Sequence, residues 1–169
     1  KKLEEINSNE FKRLSNSANY ELQKGYLDSN IRILQKEDKK DELSDAYVQK
    51  AETSLKSKDK AEALVSYNNA IQLVQDKPKK IIEIKNKIAD VYAADNEFDK
   101  AIEINENLLK EAEKNSDFET QIKEKQLLAD LYFNKNESDK AVNYLKEAYH
   151  LAAKKGNTAE VKKSLASLL

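Results

Sequence analysis

Few residues in this chain have the types and spacing for covalent or metal chemistry. His150 is the only histidine in 169 residues, cysteine is absent, and the two glycines, Gly25 and Gly156, stand far apart. A metal site needs several ligands, and acid–base catalysis needs a positioned partner. His150 falls late on an expected helix, off its packing positions, and reads as a surface residue. Phosphate-cradling loops need clustered glycines, and disulfides and thiolate sites need cysteines. What remains is 31 Asp and Glu side chains, none set in a recognisable pocket motif. Their chemistry is ionic: pairing with basic groups. Tyr26, Tyr47 and Tyr144 offer aromatic surface but lack the basic setting of a nucleic-acid stacking platform. No catalytic residue, metal ligand or cofactor-binding residue is expected, and no enzymatic activity.

The net charge is −1 with the signs intermixed. A nucleic-acid or anionic-membrane binder would carry a basic excess, so neither partner is expected. Charge is nonetheless uneven: residues 81–119 hold eleven acidic and five basic side chains, a local net of −6. Such a run reads first as a solvated acidic face and, more sharply, as a surface suited to a basic partner. No apolar stretch approaches the ~20 residues of a membrane span, so direct membrane contact by this segment is not expected. The sequence contains no methionine. A processed chain or fragment is therefore expected, with any signal peptide, anchor or output domain outside it. The compartment stays open between cytoplasm and periplasm.

The elements that must position these side chains follow from internal repetition. Abundant Lys, Glu, Ala, Leu and Asn with a single proline, Pro78, is the composition of a nearly all-helical protein. The landmark Ala51 recurs as Ala89 and Ala129, periods of 38 and 40. Twelve residues after each comes the pair Ala63-Leu64, Ala101-Ile102 or Ala141-Val142, and seven further on Ala70-Ile71, Leu108-Leu109 or Ala148-Tyr149. Both halves of each unit show 3.6-residue apolar periodicity. Asp59 with Glu62, Ser116 with Glu119 and Asn157 with Glu160 have cap-plus-carboxylate spacing at expected helix starts. Pro78 suits a first helical turn, and Gly156 a helix stop. Upstream, Ala18, Glu21-Leu22 and Gly25 through Ile31 read as a degenerate copy, with Asn30 in place of the packing Ala and Glu21 in place of the aromatic. The expected helices are 8–24, 27–39, 41–57, 60–76, 78–95, 98–114, 117–135, 138–155 and 158–169.

These landmarks resemble the tetratricopeptide repeat over about residues 10–155. Asp99-Lys100-Ala101-Ile102 and Asp139-Lys140-Ala141-Val142 are the most typical pieces. The resemblance implies an all-α, right-handed α-solenoid of antiparallel helix pairs in a single array. Its parts are a degenerate repeat at 8–39, repeats at 41–76, 78–114 and 117–155, and a terminal helix or half repeat at 158–169. Tyr47, Lys85 and Lys125 hold the usual Trp-like position, so two of three depart from it, and Lys50 stands where an apolar residue is normal. The long units look like those of bacterial signalling proteins, including peptide-responsive regulators and the sensor regions of Bacteroidetes-type histidine kinases.

In this family the first helices line a concave binding surface. Carried over, the groove positions are Lys12, Ser15 and Asn19; Asp45, Val48, Glu52 and Leu55; Glu83, Asn86, Asp90 and Ala93; and Lys123, Gln126, Asp130 and Phe133. Glu52, Asp90 and Asp130 would form a carboxylate ladder, and Asn86 and Gln126 would hydrogen-bond a peptide backbone. That face suits a protein or peptide carrying basic groups. It lacks the Lys, Asn and Arg set that grips chaperone C-terminal carboxylates in some members. The expected function is a protein- or peptide-binding module forming the regulatory or sensory part of a larger signalling protein. The alternatives are a freestanding adaptor or scaffold, or the docking arm of an enzyme whose catalytic domain lies elsewhere. Val161, Leu165 and Leu168 give the terminal helix an apolar stripe that invites self-association.

Overall fold

A computed structural model describes residues 20–154 and Gly156. Seven helices and no strands occur among them: α1 (Tyr20–Lys36), α2 (Lys40–Lys56), α3 (Lys60–Leu73), α4 (Pro78–Ala94), α5 (Phe98–Lys114), α6 (Phe118–Asn134) and α7 (Ser138–Lys154). The expected helices 8–24 and 158–169 fall wholly or mostly outside the described residues. So do Lys12, Ser15, Asn19, the Asn157–Glu160 cap and the Val161, Leu165, Leu168 stripe.

Helicity follows from the spacing of buried positions. In α5 these are Ala101, Ile102, Asn105, Leu108, Leu109 and Ala112, steps of one and three that keep to one helical face. Helix starts follow side-chain chemistry. Pro78 opens α4, where its missing N–H is harmless. The carboxylate of Asp59 accepts the backbone N–H of Glu62 at 3.0 Å. The second expected cap moves by one residue: Asp117 accepts from Thr120 N–H, at 3.2 Å. Ser116 has φ +54° and belongs to the turn instead.

That turn type recurs. Asp38, Lys58, Asn96, Ser116 and Asn136 all have φ between +51° and +63°, each in a three-residue connection between helices. Around Lys58, its own N–H donates to the Leu55 carbonyl at 3.0 Å and the next N–H, of Asp59, to the Ser54 carbonyl at 2.8 Å. This paired bonding is the Schellman closure of a helix C-terminus, and it repeats around the other four. Glycine is the usual residue at such a position; here only Gly156, φ +74°, beyond α7, conforms.

One expected element is overturned. The turn read at Gly25 is absent, because α1 runs through it from Tyr20 to Lys36. An interior glycine costs only ~1 kcal/mol, and the buried series Gln23, Leu27, Ile31, Leu34 holds the helix on one face. The register explains the misreading. α1, α3, α5 and α7 start at Tyr20, Lys60, Phe98 and Ser138, steps of 40, 38 and 40, so α1 is a second-helix equivalent. Gln23, buried to 1% exposure, takes the place of Ala63, Ala101 and Ala141.

The chain divides between Lys85 and Asn86 into two compact units. In the first, α1 packs on α2 and α2 on α3, around Ile31, Leu34, Leu43 and Ala46 with Tyr47 and Leu73 against them. Glu62, in the first turn of α3, ties all three helices. It pairs with Lys24 of α1 at 2.6 Å and Lys50 of α2 at 3.4 Å, and accepts the hydroxyl of Ser54 at 2.9 Å. Lys50 also reaches Asp28 at 2.6 Å. A lysine at an apolar position is thus accommodated by ion pairing from a largely buried stem.

In the second unit the core joins Ala89 of α4, Ala101, Ile102 and Leu109 of α5, Leu128, Ala129, Leu131 and Tyr132 of α6, and Ala141 and Leu145 of α7. The small landmarks Ala101, Ala129 and Ala141 have no exposed surface, which lets the helices approach closely. Tyr132 and Tyr144 stack with ring centroids 5.5 Å apart. Lys125, where the repeat usually has an aromatic, lays its stem beneath α7. Its ammonium reaches Glu147 at 2.7 Å and Glu113 at 3.5 Å.

Candidate functional site

The residues expected to line a groove lie on α2, α4 and α6. On α2, Val48, Glu52 and Leu55 are half-buried, while Asp45 is exposed and paired with Lys80 at 2.8 Å. On α4, Glu83 and Asp90 are exposed, Ala93 is half-buried and Asn86 is buried. On α6, Lys123, Asp130 and Phe133 are exposed and Gln126 is half-buried. Of the twelve described positions, six are exposed, five half-buried and one buried.

Electrostatics separate two of them from the rest. Asp90 and Asp130 face solvent, yet the protein around each removes enough water to push its carboxyl above the ordinary range. For Asp90 the charges of Lys87 and Lys123 act against that rise. For Asp130 no cation offsets the loss of water.

Asn86 behaves differently from a groove-lining amide. Its side-chain nitrogen donates to Oε1 of Glu124 at 2.9 Å, and both side chains are buried. Sequence reasoning missed Glu124, because a glutamate within Lys123-Glu124-Lys125 reads as solvated. Its pairing with a residue 38 positions away leaves no local mark.

Among the described residues, no group of three or more His, Cys, Asp or Glu side chains is arranged to hold a metal ion. No helix there is long and apolar enough to cross a membrane. His150 is exposed, its ring edge-on to Tyr149 at 6.1 Å.

Residues 125–155 match the family model of the tetratricopeptide repeat, which spans α7 and the second half of α6. No curated protein gives a significant match by sequence. Solved structures similar to this chain include the N-terminal domain of stress-induced protein-1 from C. elegans. It is 19% identical with TM-score 0.56, over 76% of this chain and 96% of that one. A putative kinesin light chain with nearly identical TPR-like repeats from Podospora anserina is 14% identical with TM-score 0.67, over 99% of this chain and 83% of its own. Aspartyl phosphate phosphatase F from Bacillus subtilis is 12% identical with TM-score 0.70, over 98% of this chain; this chain covers 48% of the phosphatase. At these identities the likeness is one of fold. The chain thus carries a tetratricopeptide repeat at residues 125–155, and its recurring helix pairs share the all-α repeat fold of those structures.

Proposed function

We propose that this chain binds a protein or peptide bearing basic groups through the acidic side chains Asp90 of α4 and Asp130 of α6, as the regulatory or sensory part of a larger bacterial signalling protein. Repeats of this type generally mediate protein–protein interaction, and proteins of this fold are typically non-catalytic binding modules; no residue here is assigned a catalytic role. The observation that carries the reading is the state of Asp130 and Asp90. Each is an accessible carboxylate short of water. An incoming ammonium or guanidinium group would replace the lost hydration with a charge-assisted hydrogen bond, the stronger kind. Phe133, exposed one turn beyond Asp130, adds apolar surface for the same partner. The signalling context rests on the likeness of the long repeat units to those of bacterial signalling proteins.

The test is a peptide array probed with the wild type beside an Asp90→Lys, Asp130→Lys double variant shown by circular dichroism to be folded. Loss of basic-peptide binding in the variant supports the acidic face. Equal binding by both proteins, or none by either, overturns it.

A further inference from the structure

Beneath that face lies an unbalanced pair of buried polar groups. Glu124 has no exposed surface and Asn86 is 8% exposed. One contact between them is made, Asn86 Nδ2 donating to Glu124 Oε1 at 2.9 Å. The other two oxygens, Asn86 Oδ1 and Glu124 Oε2, are shut off from solvent without a hydrogen-bond partner. Two acceptors thus lack a donor, and burying each one unpaired is unfavourable. A single proton on Oε2 removes both deficits, because a carboxylic acid and a primary amide can each donate to the other.

We propose that Glu124 is held as the neutral carboxylic acid, donating its proton to Asn86, so that α4 and α6 are joined by a two-point acid–amide pair that opens when the proton leaves. Most of the surrounding charges are engaged by other partners. Lys123, next to it on α6, is exposed and its charge acts on Asp90, as does that of Lys87 of α4. Lys125 is engaged by Glu147 of α7 and Glu113 of α5, and Glu106 of α5 accepts from Tyr132. Among the described residues no ion pair reaches Glu124, and Lys123 acts on it only through its charge. Burial pushes the Glu124 carboxyl up, against the opposing effects of the Asn86 bond and the Lys123 charge. A carboxyl raised in the folded state contributes stability that is fully present below its unfolded value and is lost as pH rises through the folded one. The seam therefore weakens on alkalinisation, giving the second unit a pH-responsive contact one helical turn from Asp90 on α4.

The first readout needs no variant: carbon NMR of the glutamate side-chain carboxyls in the wild type, followed through a pH titration. One resonance should stay at its protonated position after the others have shifted, and Glu124→Gln should delete that resonance. Thermal unfolding of wild type and Glu124→Gln gives the second readout. Glutamine supplies a permanent donor at Oε2, so the variant should melt several degrees above the wild type at about pH 8. That gap should close towards about pH 5. Asp90 and Asp130 titrate alike in both proteins and cancel in the difference. A spectrum in which every glutamate titrates together, or a melting difference that does not change with pH, overturns the proposal.

Discussion

Replacing Glu62 by glutamine removes the one carboxylate shared by α1, α2 and α3. Lys24 beside it, with the Ser54 hydroxyl and the charge of Lys50 acting the same way, holds the Glu62 carboxyl down at about 2 from an ordinary 4.5. That depression is about 2.5 units, which at 1.36 kcal/mol per unit is about 3 kcal/mol for a fully shielded group. The Glu62 side chain is 30% exposed, so water screens part of this and about 1–2 kcal/mol is the expected loss at neutral pH. The lysines are not left bare: Asp28 stays 2.6 Å from Lys50, and Asp59 stays 3.7 Å from Lys24. The sign follows from linkage. A depressed carboxyl contributes stability above its unfolded value and loses it as pH falls towards the folded one. Wild-type stability should therefore drop between about pH 5 and pH 2, and the Gln variant should lack that part of the drop. Urea unfolding across this range measures both, with an unchanged denaturant slope as the check that the unfolded state is the same. A variant within about 0.3 kcal/mol of wild type at neutral pH, or acid profiles that run parallel, would refute the argument.

Two further outcomes rest on the buried polar groups and the turns. Asn105 is 2% exposed with Oδ1 unpaired, at the repeat position held by Leu27, Tyr67 and Leu145; Asn105→Leu should raise stability by about 1 kcal/mol, since removing an orphaned acceptor outweighs modest repacking. A lower urea midpoint for Asn105→Leu would count against this. Lys58 sits exposed at φ +62°, so Lys58→Gly should stabilise by about 0.5 kcal/mol, the relief of left-handed strain exceeding the added freedom of the unfolded chain. The control is Lys56→Gly in the last turn of α2, expected to destabilise by about 1 kcal/mol.

Much of the fold was legible because local rules act within one helix. The pairs Ala101-Ile102 and Ala141-Val142 mark packing faces through spacing alone. Pro78 and Asp59 start helices through chemistry confined to one turn. Asp90, Asp130 and Phe133 came from the family resemblance rather than from spacing, and all three are exposed. Gly25 misled because a glycine signals a turn only where the helix face also breaks, and the series Gln23, Leu27, Ile31, Leu34 does not break.

By itself, then, the sequence determined the helical repeat, its 38–40-residue period and the small residues that let helices approach, since all three depend on spacing along the chain. Only the tertiary structure decided which polar residues are buried and with what. Lys50 meets Asp28 and Glu62, Lys125 meets Glu113 and Glu147, and Asn86 meets Glu124, all across helices. Periodicity assigns a residue to a face, but the ionisation and pairing of a buried polar group depend on which distant side chain the fold brings against it.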